Sequence, residues 1–384
     1  MNYEFPTITN ISDVLPAIEG RDEFVVAVKE GYTVINYNVM MADTFDCNVR
    51  RELRGIIFDS ETGEILRRPF HKFFNVNERE ETQDHIVDLS RDHRILEKLD
   101  GSMIAPFVVN GEMIWGTKMG ATDVAKPVKE FVKNNPVYQY IAKKWIELGW
   151  TPIFEWCSRK QRIVLDYKED QLILTAIRNM KTGEYCFYPY MKNHAAAIDI
   201  PVVRAFDMHA MNDMKAFLEY VRDLEDLEGF VVRFDDGHML KLKCHWYLQI
   251  HKAKEAILQD RNIVEIILNE KLDDVKAHLP AEDRDRLTQF ESELNRKINT
   301  TIVGIILELN TIRYLGYARK TYALGRAQET DGFTRPIVFK NFDGEIDCQK
   351  IEADVRNTIR NNLGRTVKYE AIRSAWFPGV LYND

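Results

Sequence analysis

At 384 residues, with 45% hydrophobic and 29% charged side chains, the chain has a soluble globular profile and the length for two domains. Its net charge of −8 excludes a protein that coats long duplex DNA. Its longest apolar run, Ile302 to Leu309, is interrupted by Gly304 and Glu308 and is too short to cross a bilayer.

Five scattered cysteines (Cys47, Cys157, Cys186, Cys244, Cys348) show no paired spacing, which argues against a cysteine-based zinc site. The unpaired cysteines fit a reducing cytoplasm, and the first twenty residues, with Asp13 and Glu19 and no apolar run, are expected to hold no secretory signal. Residues 245–384 carry 21 basic and 21 acidic side chains, so all eight excess negatives fall in residues 1–244. Phosphate chemistry in that part requires basic residues focused in one cleft of an acidic body.

Residues 1–244 read as β-rich. Short apolar or alternating runs predict strands over Phe24 to Val28, Gly55 to Phe58, Ile104 to Val109, Ile153 to Trp156, Ile163 to Asp166, Leu172 to Ile177, Gly229 to Phe234 and Met239 to Leu242. Asn110-Gly111, Thr182-Gly183 and Asp236-Gly237 supply turns. Helices are predicted over Thr122 to Lys133 and Met211 to Leu224, the second entered through an Asn/Asp cap. After Tyr247 the period changes. From Ala253 to Asn310 apolar residues such as Ile263, Ile266, Ile267 and later Leu287, Phe290, Leu294 recur at three-to-four spacing, with Pro280 separating two helices. Residues 350–376 read as helix broken at Gly364. A mixed α/β domain to about residue 247, then a mainly helical one, is therefore expected, with no internal repeat.

The heptapeptide Glu97-Lys98-Leu99-Asp100-Gly101-Ser102-Met103 carries the most chemistry. Apolar Ile95 and Leu99 suggest that Lys98 stands at the end of a buried strand. An amine held there can attack the α-phosphorus of a nucleotide and carry the nucleotidyl group as a phosphoramide. Lysine amines are mostly protonated at neutral pH, so neighbouring cations or a divalent metal must favour the neutral form. By itself, Lys-x-Asp-Gly arises in roughly one chain in ten of this length. Four other segments add weight. Glu155 interrupts the apolar strand Phe154-Glu155-Trp156, and Glu228 opens Glu228-Gly229-Phe230-Val231-Val232. Lys241 and Lys243, two apart on a strand, must share a face. Arg54 opens Arg54-Gly55-Ile56-Ile57-Phe58.

In this order and at these spacings, the segments resemble the covalent nucleotidyltransferase superfamily of ATP-dependent DNA ligases, RNA ligases and mRNA capping enzymes. They match its motifs I (Lys98 to Gly101), III (Glu155), IV (Glu228-Gly229) and V (Lys241, Lys243). Met103 stands where DNA ligases of the superfamily usually carry arginine. Arg54-Gly55-Ile56, Lys72-Phe73-Phe74-Asn75, Arg162-Ile163-Val164-Leu165, Thr182-Gly183-Glu184-Tyr185 and Trp246-Tyr247 are similar to the T-even phage RNA ligase 1 family. So are Leu272 to Ala277 and Arg319 to Ala323. The resemblance is strong over residues 35–250 and patchy beyond.

The resemblance implies an α+β fold, with a β-rich adenylyltransferase domain over 1–247 and a helical domain over 248–384 that selects RNA. It implies that Lys98 takes AMP from ATP, that AMP passes to an RNA 5′-phosphate, and that an RNA 3′-hydroxyl then displaces AMP. Lys241 and Lys243 would neutralise the α-phosphate and the leaving pyrophosphate. Glu228 would hold Mg²⁺, which prefers oxygen ligands. Glu155 would accept from the ribose hydroxyl or from metal-bound water. Arg54 and Lys72 resemble family residues near the sugar and phosphates, Lys118 matches a family lysine in the catalytic set, and Gly101 belongs to the nucleotide-binding motif. Tyr37, Phe74 and Tyr247 match residues around the nucleotide, with an aromatic face over adenine as the rationale and plain core packing as the alternative. Asp273 and Asp274 are further metal candidates, although adjacent acids opening a helix are commonly caps. Arg356, Arg360, Lys368 and Arg373 offer RNA phosphate contacts or a solvated basic face.

The substrate so implied is RNA, by resemblance a tRNA broken in its anticodon loop during phage infection. The same resemblance implies a monomer in the host cytoplasm, working with an RNA end-healing kinase/phosphatase. The alternatives are an ATP-dependent DNA ligase, an mRNA capping guanylyltransferase, or a non-catalytic RNA-binding protein on the same fold. The first two normally follow motif V with an OB-fold, whereas this chain continues as helices without an Arg-x-Asp-Lys signature. Against the third stands the complete set of charged motif residues.

Overall fold

The computed structural model describes residues 4–208, 213–377 and 382. Its contacts divide the chain into two compact units, Met1–Leu248 and Gln249–Asp384.

The strands of the first unit are β1 (Phe24–Lys29), β2 (Tyr32–Tyr37), β3 (Ile56–Asp59), β4 (Ile65–Arg67), β5 (Phe74–Asn75), β6 (His93–Glu97), β7 (Ser102–Val109), β8 (Glu112–Gly116), β9 (Trp150–Cys157), β10 (Gln171–Asn179), β11 (Ala205–Phe206), β12 (Gly229–Phe234) and β13 (Met239–Lys243). They form three sheets, ordered β1-β2-β3-β4, β10-β9-β7-β8 and β11-β6-β12-β13-β5. Neighbours within them are antiparallel except β13 and β5, which run parallel through Leu240 opposite Phe74. The β7–β8 hairpin turns at Asn110-Gly111, where both φ angles are positive (51° and 80°), as a two-residue hairpin turn requires.

Helices of this unit are α1 (Asn48–Glu52), α2 (Lys126–Asn134), α3 (Pro136–Glu147), α4 (Tyr188–Ala196) and α5 (Met214–Arg222). The predicted helix over Thr122 to Lys133 begins as a 3-10 turn at Asp123–Ala125 before α2. In α5 the Asp213 side chain caps by accepting from the Ala216 amide at 2.7 Å, while Met211 and Asn212 of the predicted span lie outside the described residues.

One predicted strand is absent. Ile163 to Asp166 joins no sheet, because the Val164 and Leu165 amides donate to the Asp100 carboxylate, each at 2.7 Å. A side-chain acceptor has replaced the strand ladder. Alternation also failed to reveal β2, β6, β8, α3 and α4. β2 is buried over five of its six positions, so it shows no alternation to read.

α6 (His245–Ala256) follows β13 directly. The second unit continues with α7 (Asp260–Leu268), α8 (Leu272–Lys276), α9 (Ala281–Tyr314), α10 (Arg319–Leu324), α11 (Thr334–Lys340), α12 (Cys348–Leu363) and α13 (Thr366–Trp376). α9 starts at Pro280 and buries Leu287, Phe290, Leu294, Ile298, Ile305, Leu309 and Ile312 along one stripe. The break between α12 and α13 falls at Gly364-Arg365. Among the described residues no strand follows β13, and no helix is long and apolar enough to cross a membrane.

Candidate active site

Lys98 leaves the end of β6, and its backbone N–H donates to the Gly229 carbonyl at 2.9 Å. Across β6 and β12, Glu97 faces Phe230, so the first residues of β12 lie beside the lysine. The Lys98 Nζ is 2.6 Å from Glu228 Oε1, and the same oxygen is 3.0 Å from Lys243 Nζ. Glu228 is buried and both amines are largely covered, so this is a shielded three-charge cluster.

Two glycines permit that approach. A Cβ on Gly229 (φ +142°) would fall 1.9 Å from the Leu242 carbonyl oxygen, on the strand that carries Lys241 and Lys243. A Cβ on Gly101 would fall 2.4 Å from the Trp156 carbonyl oxygen and 3.0 Å from Glu155 Cγ. Glycine at 101 thus lets β7 close on β9, where Met103 pairs with Glu155.

Asp100 fixes the turn between Lys98 and Gly101. One carboxylate oxygen accepts from Val164 and Leu165, and the other accepts from Tyr247 Oη at 2.7 Å. The Asp100 N–H donates to Tyr167 Oη at 3.0 Å. The charged turn, the 162–165 string and the start of α6 are therefore one hydrogen-bonded assembly.

A cavity of about 240 Å³ opens beside Lys98. Arg54, Lys98, Gly101, Met103, Glu155 and Lys241 line it, with Phe70, Phe73, Thr175, Val231, Arg233 and Met239. Burial pushes the Glu155 carboxyl up to about 7; Glu228 and Asp100 add to the rise, and Lys98 and Arg54 oppose it. Burial also holds the Lys241 amine well below the usual lysine range, reinforced by Arg54, Lys98, Lys72 and Lys243. Its Nζ lies 4.5 Å from the centre of the Phe73 ring.

Tyr37 is the focus of a second cationic group. Lys72 and Lys118 place their Nζ atoms 5.5 and 5.6 Å from its ring centre. Burial alone would raise the Tyr37 phenol, but the charges of Lys72, Arg54 and Lys118 outweigh it and hold the group below its usual value. Arg54 belongs to both groups. Buried Arg67 holds the flanking chain: its guanidinium donates to the carbonyls of Gly55 at 2.8 Å, Thr117 at 2.9 Å and Ala105 at 3.0 Å. Arg54 and Lys118 are thereby fixed through their neighbours in sequence.

Two aromatic candidates stand outside the cavity lining, although Lys72 Nζ lies 5.3 Å from the Phe74 ring centre and Lys243 Nζ 5.2 Å from that of Tyr247. Phe74 is 3% exposed and packs in the core with Phe24, Phe45 and Phe58, so the cavity wall is Phe73. Successive residues of a strand point to opposite faces, and β5 turns Phe74 inward. Tyr247 is 2% exposed, and its hydroxyl is committed to Asp100 rather than to a place on the cavity wall.

Asp273 and Asp274 are exposed in the first turn of α8, in the helical unit. Among the described residues no group of three His, Cys, Asp or Glu side chains is arranged to hold a metal ion. Arg356 and Arg373 pair with Glu352 and Glu370 on their own helices, Arg360 donates to the Leu268 carbonyl at 2.7 Å, and Lys368 is exposed.

Sequence reasoning missed Phe70, Phe73, Thr175, Arg233 and Arg67. Arg233 was legible in principle, since it shares the period-two face of Val231. Arg67 carried no signal, because its partners are backbone carbonyls from distant segments.

Comparison with known proteins follows the same lines. Residues 52–247 match a family model described as RNA ligase, that of T4 RNA ligase 1. A candidate RNA ligase of Thermovibrio ammonificans is 30% identical over 275 residues, covering 70% of this chain and 71% of that protein. RNA ligase 1 of bacteriophage TS2126 is 25% identical over 316 residues, covering 79% and 76%. Among solved structures, an archaeal ATP-dependent RNA ligase matches over 64% of each chain with 17% identity and a TM-score of 0.42. A DNA ligase candidate from Aquifex aeolicus covers 94% of this chain and 79% of its own at 11% identity and the same TM-score of 0.42. The family model and the relatives in sequence define an enzyme, an RNA ligase. Within that class, the chain belongs to the T4 RNA ligase 1 family.

Proposed function

We propose that the cavity beside Lys98 takes ATP and that ligation proceeds through a lysyl-AMP intermediate. The observation that carries this reading is the Lys98 amine, 2.6 Å from Glu228 on the edge of a cavity walled by Arg54, Glu155 and Lys241. A deprotonated Lys98 attacks the α-phosphorus, forming the N–P bond as the bond to the β-phosphate oxygen breaks and pyrophosphate leaves. Lys241 and Lys243 meet the charge that builds on the α-phosphate and the leaving group. Arg54, Lys72 and Lys118, converging on Tyr37, form the second cationic wall for phosphate oxygens. Once Glu228 is engaged elsewhere, the Lys98 amine is released from its ion-pair partner and can turn to the α-phosphorus.

The donor set fits Mg²⁺, which keeps several waters and binds through one or two carboxylates plus substrate phosphates. Glu228 and Glu155 are close enough for the charge of one to raise the pKa of the other, and they would hold it. When bound it supplies further neutralisation of the α-phosphate. Asp273 and Asp274, exposed in the first turn of α8 in the helical unit, are the weaker pair.

The acceptor is an RNA 5′-phosphate, which takes AMP from Lys98; the 3′-hydroxyl then forms a 3′–5′ phosphodiester and AMP leaves. We take that RNA to be a tRNA broken in its anticodon loop, with substrate choice assigned to the helical unit. Action alongside an end-healing kinase is supported by a baculovirus relative named as a candidate bifunctional polynucleotide kinase/RNA ligase, of which this chain spans 40% at 27% identity. Incubation with α-labelled ATP or GTP, followed by denaturing electrophoresis, tests the first step. Covalent label from ATP, lost in Lys98→Ala, is expected; label from GTP alone would overturn the reading. Sealing of nicked tRNA against nicked DNA duplex tests the acceptor, and preference for the DNA nick would reject it.

A further inference from the structure

Resting on the assignment of this cavity to ATP, we propose that Arg233 reads the base, donating from its guanidinium to a ring nitrogen of adenine. Strand register sets the direction of the cavity. Gly229, beside Lys98, pairs with Lys243; Val231 pairs with Lys241; Arg233 pairs with Met239. Val231, Arg233, Lys241 and Met239 all line the cavity. At about 3.3 Å per residue, Arg233 stands about 13 Å along β12 from Gly229. The phosphate chemistry sits at one end, Lys241 lies between, and Arg233 stands at the other end, where a nucleotide attacked at its α-phosphate would place its base.

The state of Arg233 is unusual. It is 6% exposed, it makes no ion pair among the described residues, and its Nη2 has a long hydrogen bond of 3.4 Å to the Cys186 carbonyl. Its Nη1 is buried without a hydrogen-bond partner among the described residues. A buried charged donor left without an acceptor is strongly disfavoured, so this group is poised for an acceptor from a ligand. Guanidinium only donates. Adenine presents acceptors at N1, N3 and N7, and its exocyclic amine is a donor that Arg233 cannot satisfy. Thr175, on the same cavity wall, complements it: its hydroxyl proton is committed to the Ile153 carbonyl at 2.9 Å, which leaves the oxygen as an acceptor.

The test is covalent label formation from ATP and from its 1-deaza, 3-deaza and 7-deaza analogues, with the wild type, Arg233→Met and Arg233→Lys. In the wild type, one analogue should raise KM about tenfold or more with kcat little changed, as loss of a charge-assisted hydrogen bond requires. In Arg233→Met that penalty should vanish, with KM for ATP raised to the level the wild type shows for the analogue. Thermal unfolding establishes that the variant is folded; Arg233→Lys, which keeps the charge but not the reach, replaces it if it is not, with the same expectation. Equal KM for all analogues in the wild type, or a penalty undiminished in the folded variant, overturns the proposal alone. Absence of any label from ATP in the wild type overturns the ATP assignment, and this inference with it.

Discussion

Tyr247 donates its hydroxyl to Asp100 at 2.7 Å, joining the residue two after Lys98 to one 147 positions further along the chain. With the Val164 and Leu165 amides on the other carboxylate oxygen, Asp100 has a specified role: it holds the turn that presents the amine. Tyr247→Phe removes one donor and leaves the ring in place. The expected loss is about 1–3 kcal/mol of stability. Label transfer from ATP should slow about tenfold, because the turn carrying Lys98 loses its restraint. Urea midpoints and single-turnover labelling measure the two effects, and a variant unchanged in both would contradict the role.

Phe73 and Phe74 are adjacent but serve different surfaces. Phe74→Ala empties a core position and should lower stability by about 3–5 kcal/mol. Phe73→Ala should leave the unfolding midpoint nearly unchanged and weaken ATP binding about tenfold through loss of a stacking surface. Equal stability losses for both variants would place both rings in the core.

Glu228→Gln tests the shared carboxylate. Lys98 and Lys243 would face a neutral amide with little change in shape. Lysyl-AMP formation should fall about a hundredfold or more, on the scale seen when a positioned charge is removed from an active site. A KM for ATP that rises while kcat holds would instead assign Glu228 to binding alone.

Gly101→Ala forces a methyl group to 2.4 Å from the Trp156 carbonyl, a backbone atom that cannot swing away. Separation of β7 from β9 should lower stability by about 1–3 kcal/mol and displace Glu155 from the cavity. A variant of wild-type stability, read from its denaturant midpoint, would refute the close approach.

Glu155 predicts a pH dependence of folding. Its carboxyl is raised from 4.5 to about 7 in the folded protein, mainly by burial. The folded state therefore keeps a proton that the unfolded chain releases. Stability from this group is complete below pH 4.5 and is lost as pH rises through about 7, by at most about 3 kcal/mol. In Glu155→Gln this contribution to the slope should disappear; identical pH profiles for wild type and variant in the ligand-free protein would reject it.

Much of the site was legible one residue at a time. Lys98, Glu155, Glu228, Lys241 and Lys243 were singled out by charge at apolar-strand positions, and the structure gathers all five around one cavity edge. The change from period two to period three-to-four near Tyr247 likewise showed where sheets give way to helices. Local alternation was silent where a strand is buried on both faces, as in β2, and misleading at Ile163 to Asp166, where a distant carboxylate takes the backbone amides.

Residue identity and spacing therefore settle which charged groups this chain can offer and which faces its strands present, because charge and pleat are local properties. They do not settle which of two neighbouring phenylalanines lines the cavity, what Tyr247 holds, or that Arg233 is buried with one donor unmet among the described residues. Those outcomes depend on which strands become neighbours, and contacts across 64 to 147 positions leave no periodic trace in the chain.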